Sequence, residues 1–245
     1  MIHLSRFLIG IRHSRVFRMR NLSGQIIDDI VKKYPKEFTR VGETRDEVAL
    51  TDDDNSLIAK ISRDDIIIES KKLFDWEKKA YTEMNKLKVI KLMEEFLPIL
   101  SKRFEFEKDF SRIGIIFEFR VPEFEGIQNE NFSKFIYDKF INFEGQGEGN
   151  EASIRFAYKL QIPEARVNKT LNDYRNVIIV LNQSRGLDEE GKEKNCLFVS
   201  ADIQRIFDPA LRTVDIDEHF NFAQQYLKDV VLPEFKNKGV NINYE

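Results

Sequence analysis

Cysteine is almost absent from this sequence of 245 residues, since Cys196 is the only one. A single cysteine cannot form an intramolecular disulfide, and it cannot supply the set of thiolates that a structural zinc site needs. Six prolines and 11 glycines are too few for a linker-rich or low-complexity chain. The composition therefore indicates a globular protein that is stabilised by its own core.

Long hydrophobic runs are also missing. No window reaches the roughly 18 apolar residues that a membrane span requires. The apolar opening segment is too short for a signal peptide, and no small-residue cleavage site follows it. We therefore expect a cytoplasmic protein with no membrane partner, in which Cys196 is a free thiol.

The charge is nearly balanced, with 39 Lys and Arg against 42 Asp and Glu and a formal net charge of -3. It is unevenly distributed, however. Residues 1–20 contain five arginines and no acid, whereas residues 41–70 contain nine acids and three bases. Either these two segments neutralise each other in the fold or in a dimer, or the arginines form an exposed basic surface for an acidic partner.

Alternation of apolar and polar residues with a period of two predicts several strands. They are expected within residues 6–20, 47–51, 56–62, 65–70, 113–121, 153–162, 174–183 and 197–203. The polar residues 52–55 are typical of a hairpin turn between two of these strands. Residues 177–181 are apolar on both faces, which favours a central strand.

Apolar residues at helical spacing predict four helices, at residues 22–33, 75–104, 130–142 and 216–235. Asp75 is the expected N-cap of the second helix, and either Asp215 or Asp217 that of the last. Pro98 is expected to kink or end the second helix.

The order of these elements repeats: a strand, a helix, three strands and a long helix occur twice along the chain. We predict an α+β fold in which a duplicated βαβββα unit forms a curved antiparallel sheet, with the long helices packed on one face. The two halves, about residues 1–105 and 106–245, have no linker between them and are expected to form a single domain. Ile9-Gly10-Ile11 in the first half matches Ile113-Gly114-Ile115 in the second.

This element order resembles the TATA-binding-protein-like and helix-grip arrangements. The chain also resembles a sporadically distributed family of uncharacterised bacterial proteins of about this length. The shared features are an opening strand and helix, a long helix containing Trp76, and a stretch like residues 197–203 before the C-terminal helix. The apolar-Pro opening usual in that family is absent here. The resemblance implies the fold, and it implies no catalytic residues.

The arginines near the N-terminus are the main candidate binding site. If residues 6–20 form one continuous strand, Arg6, Arg12, Arg18 and Arg20 lie on one of its faces. Such a row would bind phosphate groups through charge-assisted contacts. The alternative is that these arginines pair with the acids of residues 41–70.

Other motifs do not indicate chemistry. The glycines of residues 143–150 follow a predicted helix and precede a strand, the reverse of a phosphate-binding loop, and indicate a connector. The histidines lack metal-ligand neighbours at helical spacing. Cys196 is expected to be a small buried strand residue, and nothing around it resembles a nucleophile motif. We therefore predict no catalytic residues, no cofactor and no metal.

These observations favour a non-enzymatic binding or scaffold protein that acts through protein–protein contacts, including self-association. In the context of the resemblance, it would be an accessory component of a bacterial, operon-encoded, defence-like system. One alternative is nucleic-acid binding through the arginine-rich strand. Another is small-molecule binding between the sheet and the helices.

Overall fold

The computed structural model describes residues 4–105, 110–121, 132–141, 152–162, 173–187, 191–211 and 213–244. Its strands, in chain order, are β1 (Leu4–Arg12), β2 (Arg40–Glu43), β3 (Glu47–Thr51), β4 (Leu57–Ser62), β5 (Asp65–Lys71), β6 (Phe74–Asp75), β7 (Ala80–Tyr81), β8 (Phe110–Val121), β9 (Ser153–Gln161), β10 (Tyr174–Leu187) and β11 (Glu193–Leu211). Its helices are α1 (Met19–Lys33), α2 (Lys86–Phe104), α3 (Phe132–Ile136), α4 (Ile216–Tyr226) and α5 (Leu232–Asn237). One π-helical turn, Tyr137–Ile141, follows α3, and another, Leu227–Val231, joins α4 to α5.

Nine of the described strands form one antiparallel sheet in the order β2-β3-β4-β5-β1-β8-β11-β10-β9, and β6 pairs with β7 in a separate hairpin. The prediction of a mixed α and β fold with a large antiparallel sheet is confirmed. The predicted β3–β4 hairpin is also confirmed. Its turn is stabilised by Asp52, whose carboxylate accepts the backbone N–H groups of Ser56 and Leu57. The apolar strand β10 lies second from one edge of the sheet, between β11 and β9.

The predicted start of the long helix at Asp75 is wrong. The Asp75 carboxylate accepts the backbone N–H groups of Glu77 and Lys78, and these two bonds close the turn of the β6–β7 hairpin. The helix begins instead after Asn85, whose side chain accepts the N–H of Lys88. Pro98 lies inside α2 and does not end it, because the helix continues to Phe104.

The two Ile-Gly-Ile motifs lie opposite each other at the middle of the sheet. Strands β1 and β8 pair antiparallel with Gly10 facing Gly114, and the flanking isoleucines pair in the same register. Strands β5, β4, β3 and β2 follow on the outer side of β1, and β11, β10 and β9 on the outer side of β8. Each motif therefore occupies the centre of the sheet.

The core is built from one alternate set of side chains on these strands. On β1, Phe7, Ile9 and Ile11 are fully buried, and the ring centroid of Phe7 lies 5.3 Å from that of Phe117 and 5.9 Å from that of Phe220. Burial of each such side chain stabilises the fold by about 1.5–3 kcal/mol. Helix α2 contacts β1 and β5, and α4 contacts β8 and α2. These two helices thus attach to the sheet near its central pair, whereas α1 contacts β3 and α3 contacts β10.

Candidate binding surfaces

The arginine row predicted for residues 6–20 does not form, because β1 ends at Arg12. The chain then turns, and the backbone N–H groups of His13 and Val16 donate to the carbonyls of Asp64 and Arg63. Two of the four candidate arginines are therefore off the sheet: Arg18 is the N-cap residue of α1, and Arg20 lies exposed in its first turn. Arg6 and Arg12 share one face of β1. A binding role for any of the four stays a prediction.

Three arginines on or just after β1 pair with acids from residues 41–70, as the alternative interpretation predicts: Arg6, Arg12 and Arg15. Arg12 and Asp65 form a bidentate pair with both N–O distances at 3.0 Å. Arg15 and Asp64 do the same, at the same distances. Arg18 pairs instead with Glu105, across exposed surface. Exposed pairs of this kind contribute little to stability, typically 0–1 kcal/mol, but they fix the side chains in place.

Arg6 forms the most buried ion-pair group on β1. It contacts Glu69 on β5 and Glu118 on β8, and Lys71 also contacts Glu69 at 2.9 Å. Burial acts to raise the pKa of Glu69, but the contacts with Lys71 and Arg6 outweigh it and hold that pKa below its ordinary value. This group links three adjacent strands near the start of β1.

The second alternate set of side chains on the nine strands forms a surface that we call the open face. Basic side chains outnumber acidic ones on it, although the whole chain carries a net negative charge. Its basic residues include Arg6, Arg12, Lys60, Lys71, Arg112, Arg120, Arg155 and Lys159, and its acidic residues are Glu47, Asp65, Glu69, Glu118 and Asp202. In the described part of the chain, neither Lys60 nor Arg120 forms an ion pair.

The centre of the open face is mostly aliphatic. Gly10 and Gly114 place no side chain there, and Leu8 and Ile116 lie beside them in register. A Cβ added at Gly114 would lie 3.4 Å from a carboxylate oxygen of Asp202. Burial raises the pKa of Asp202. The side-chain amide of Gln204 donates a hydrogen bond to its carboxylate at 2.5 Å, which acts in the opposite direction but does not outweigh burial. Gly114 thus leaves room for the partly buried carboxylate of Asp202.

A second surface is the β6–β7 hairpin together with the turn it contacts, which we call the aromatic hairpin. The ring of Phe74 lies edge-on to Trp76, with centroids 4.9 Å apart, and to Tyr81, at 5.2 Å. The Tyr81 hydroxyl donates to the carbonyl of Leu187 at the end of β10, at 2.7 Å. Trp76 is 65% exposed even though the cluster holds it in place. Sequence reasoning missed this surface because it assigned residues 75–84 to a helix.

A third surface is an apolar groove of about 400 Å³ between β9, β10 and the last helices. Tyr158 on the strand side is 49% exposed, and Val230 on the helix side is 41% exposed. Side chains that line the groove include Phe140, Phe156, Val177, Ile179, Tyr226, Glu234, Phe235 and Lys238. It lies between sheet and helices, where small-molecule binding was one alternative.

Cys196 and His219 are both buried side chains. Cys196 is buried, as predicted, and burial raises the pKa of its thiol to about 11, so that it is protonated at neutral pH. His219 is fully buried, and its Nε2 lies 3.0 Å from the carbonyl oxygen of Ile203. Within the described ranges there is no group of three or more His, Cys, Asp or Glu side chains that could hold a metal ion. Residues 143–150 lie outside the described residues.

The sequence matches no protein-family model and no curated protein. No helix among the described residues is both long and apolar enough to cross a lipid bilayer. Function must therefore be inferred from the three surfaces.

The burial of His219 predicts a specific sensitivity to acid. Burial lowers its pKa from 6.5 to about 3, so between these values the unfolded chain takes up a proton that the folded chain excludes. The contribution of neutral His219 to the free energy of unfolding is therefore fully present above pH 6.5. It is lost as the pH falls toward 3, by up to about 1.4 kcal/mol per pH unit. We expect His219→Gln, which keeps a donor for Ile203, to weaken this dependence. Urea unfolding at pH 7, 6, 5 and 4 measures it, and equal slopes in both proteins would contradict it.

Gly191 predicts a test of the aromatic hairpin. Gly191 has φ +80°, and a Cβ added there would lie 2.7 Å from the ring of Phe74. Gly239 has φ +87° but open space around that position, so Gly239→Ala is a control for backbone strain alone. We expect Gly191→Ala to lower the free energy of unfolding more than Gly239→Ala, and to change the fluorescence of Trp76. Equal destabilisation with unchanged fluorescence in both variants would show that the hairpin does not pack on Gly191.

Proposed function

We propose that this chain is a non-enzymatic binding protein that acts through contact with another protein, and that the aromatic hairpin is its contact surface. The observation that carries the proposal is Trp76, which is 65% exposed yet held by Phe74 at the tip of a hairpin outside the main sheet. A large apolar side chain that stays exposed to water contributes little to the hydrophobic core. It is suited to fill a pocket on a partner.

Trp76 has the properties of an interface hot spot. Tryptophan buries a large area on binding and loses little side-chain entropy, and truncation of such a residue typically costs 2 kcal/mol or more of binding free energy. The contacts of Phe74 with Trp76 and Tyr81 reduce the remaining freedom of the hairpin. A pre-ordered surface of this kind pays less on association than a flexible one.

Charge indicates the chemistry of the partner. Residues 71–79 contain four lysines against Asp75 and Glu77. The exposed Lys79 follows directly after the Asp75–Lys78 ion pair at the turn. The expected partner therefore presents an apolar pocket with an acidic rim.

We also propose how the fold is organised into domains and repeats. We infer a single cytoplasmic domain of two similar βαβββα halves, with both long helices on one face of the sheet. The pairing of Gly10 with Gly114 at the centre of the sheet supports the duplication. The helices also support it, because α2 contacts β1 and α4 contacts β8, which are equivalent strands of the two halves. The bacterial, defence-like context rests on the resemblance alone.

The test uses Trp76 as its own reporter, because it is the only tryptophan in the chain. A photo-crosslinking amino acid is placed at Lys79 in one protein and at Phe17, which is 80% exposed, in a control. A protein crosslinked only from position 79 is purified and titrated against the chain. We expect a blue shift of Trp76 emission and binding about 30-fold weaker in Trp76→Ala by calorimetry.

Two outcomes would contradict this proposal. One is that no protein crosslinks from position 79 beyond those that crosslink from position 17. The other is that the purified protein binds Trp76→Ala as tightly as it binds the wild type, which would place the contact elsewhere.

The open face favours a second candidate function, nucleic-acid binding. The arginine row that first suggested nucleic-acid binding does not form. The excess of basic over acidic side chains on the open face is a second reason to expect that this surface attracts phosphates. Lys60 on β4 and Arg120 on β8 are separated by β5 and β1. A duplex lying across the sheet would contact both through its phosphates.

Paired substitutions separate the open face from the original arginine candidates. Lys60→Ala/Arg120→Ala and Arg18→Ala/Arg20→Ala each remove two positive charges. If the open face binds duplex DNA, the first pair weakens binding about tenfold and lowers the salt slope by 1–2, whereas the second pair has little effect. Fluorescence anisotropy at several salt concentrations measures both. Equal effects of the two pairs, or no binding by the wild type, would argue against this function.

A further inference from the structure

We infer that the outer edge of β9 binds an extended segment of another protein as a tenth strand, and that this segment alternates acidic and apolar residues. The inference concerns a different surface from the aromatic hairpin and does not depend on it. It rests on the sheet topology, on the two faces of β9 and on the charge of that strand.

Strand β9 is the longer of the two edges of the sheet. It has nine residues and pairs, among the described strands, with β10 alone. The opposite edge, β2, has four residues, all of them exposed. Short edge strands resist further pairing, whereas a long edge presents a row of free N–H and C=O groups. Four strands lie outside β1 and three outside β8, so one strand added at β9 would equalise the two sides.

The two faces of β9 differ in chemistry. Phe156 and Tyr158 point to the apolar groove, and Arg155 and Lys159 lie on the open face. An added strand continues both faces, because its side chains alternate in the same way. Its apolar side chains would extend over the groove toward the exposed Val230, and the groove volume of about 400 Å³ accommodates them. This side supplies the hydrophobic part of the binding energy.

The open-face side of β9 selects for acids. Arg155 and Lys159 are both exposed, and neither forms an ion pair with any described residue. The ammonium of Lys159 lies 4.1 Å from the ring centroid of Tyr174, which orients it. The two positions are four residues apart, about 13 Å along a strand. Carboxylates four residues apart on the added segment would lie opposite them.

A second copy of this chain is disfavoured at the same edge in the register centred on Ala157. If β9 pairs antiparallel with itself about Ala157, Arg155 faces Lys159 on both sides of the axis. Like charges directly opposite each other destabilise a strand pair. Basic residues on an edge thus repel an identical edge and still accept an acidic one. Charge complementarity therefore favours a different, acidic partner.

The experiment uses a nine-residue peptide of alternating valine and glutamate, and a matched peptide with lysine in place of glutamate. We expect the wild type to bind the glutamate peptide at least tenfold more tightly than the lysine peptide. The preference should reverse in Arg155→Glu/Lys159→Glu and be lost in Arg155→Gln/Lys159→Gln, which guards against misfolding of the first variant. Arg40→Glu on β2 and Trp76→Ala should bind the glutamate peptide like the wild type, which separates this inference from the proposed function.

Hydrogen exchange locates the contact. The glutamate peptide should protect the amides of β9 and leave those of β2 unchanged. Equal affinity for both peptides, or protection at β2 without protection at β9, would overturn the inference. So would a dimeric wild type, shown by analytical ultracentrifugation, whose β9 amides are already protected, since a second copy would then occupy this edge.

Discussion

The pairing of β1 with β8 is the interaction on which the rest of the structure depends. Phe7 lies opposite Phe117 and Gly10 opposite Gly114, so the buried side chains of both strands enter one core together. A slip of one residue would move every one of them to the open face. The two strands are about a hundred residues apart in the chain, so this single ladder joins the N-terminal and C-terminal strands into one sheet. Helices α2 and α4 then pack near that ladder.

Features that depend on local chemistry could be predicted from the sequence. The β3–β4 turn was predictable because Asp52 bonds to backbone groups only four and five residues away. The β6–β7 hairpin was not, because Trp76 continues the helical spacing of the residues after it. The contact that holds Phe74 and Trp76 comes from Gly191, more than a hundred residues away. Periodicity contains no information on such a contact, and a lone aspartate is as compatible with a helix cap as with a turn.

The candidate site shows the same division between local and tertiary information. Opposite charges in residues 1–20 and 41–70 correctly predicted pairs such as Arg12 with Asp65, because attraction between segments of opposite sign needs no register. The arginine row failed because it required the strand to continue past Arg12. The basic character of the open face could not be predicted from the total charge of the chain either. A net charge of -3 conceals a basic excess on one face, and only the pairing register shows which alternate residues share that face.

The three surfaces are linked through β10. Its carboxyl end receives the hydrogen bond of Tyr81 from the aromatic hairpin, and its whole length pairs with β11, while β9 pairs along its other side. The hairpin contacts β10 at Leu187, whereas β9 pairs with the part of β10 from Tyr174 to Asn182. Two partners could therefore bind at the hairpin and at the β9 edge without competing for surface. The proposed scaffold role requires such separate surfaces on one sheet. His219 is fully buried in the core, whereas the buried thiol of Cys196 interacts electrostatically with Arg120 of the open face.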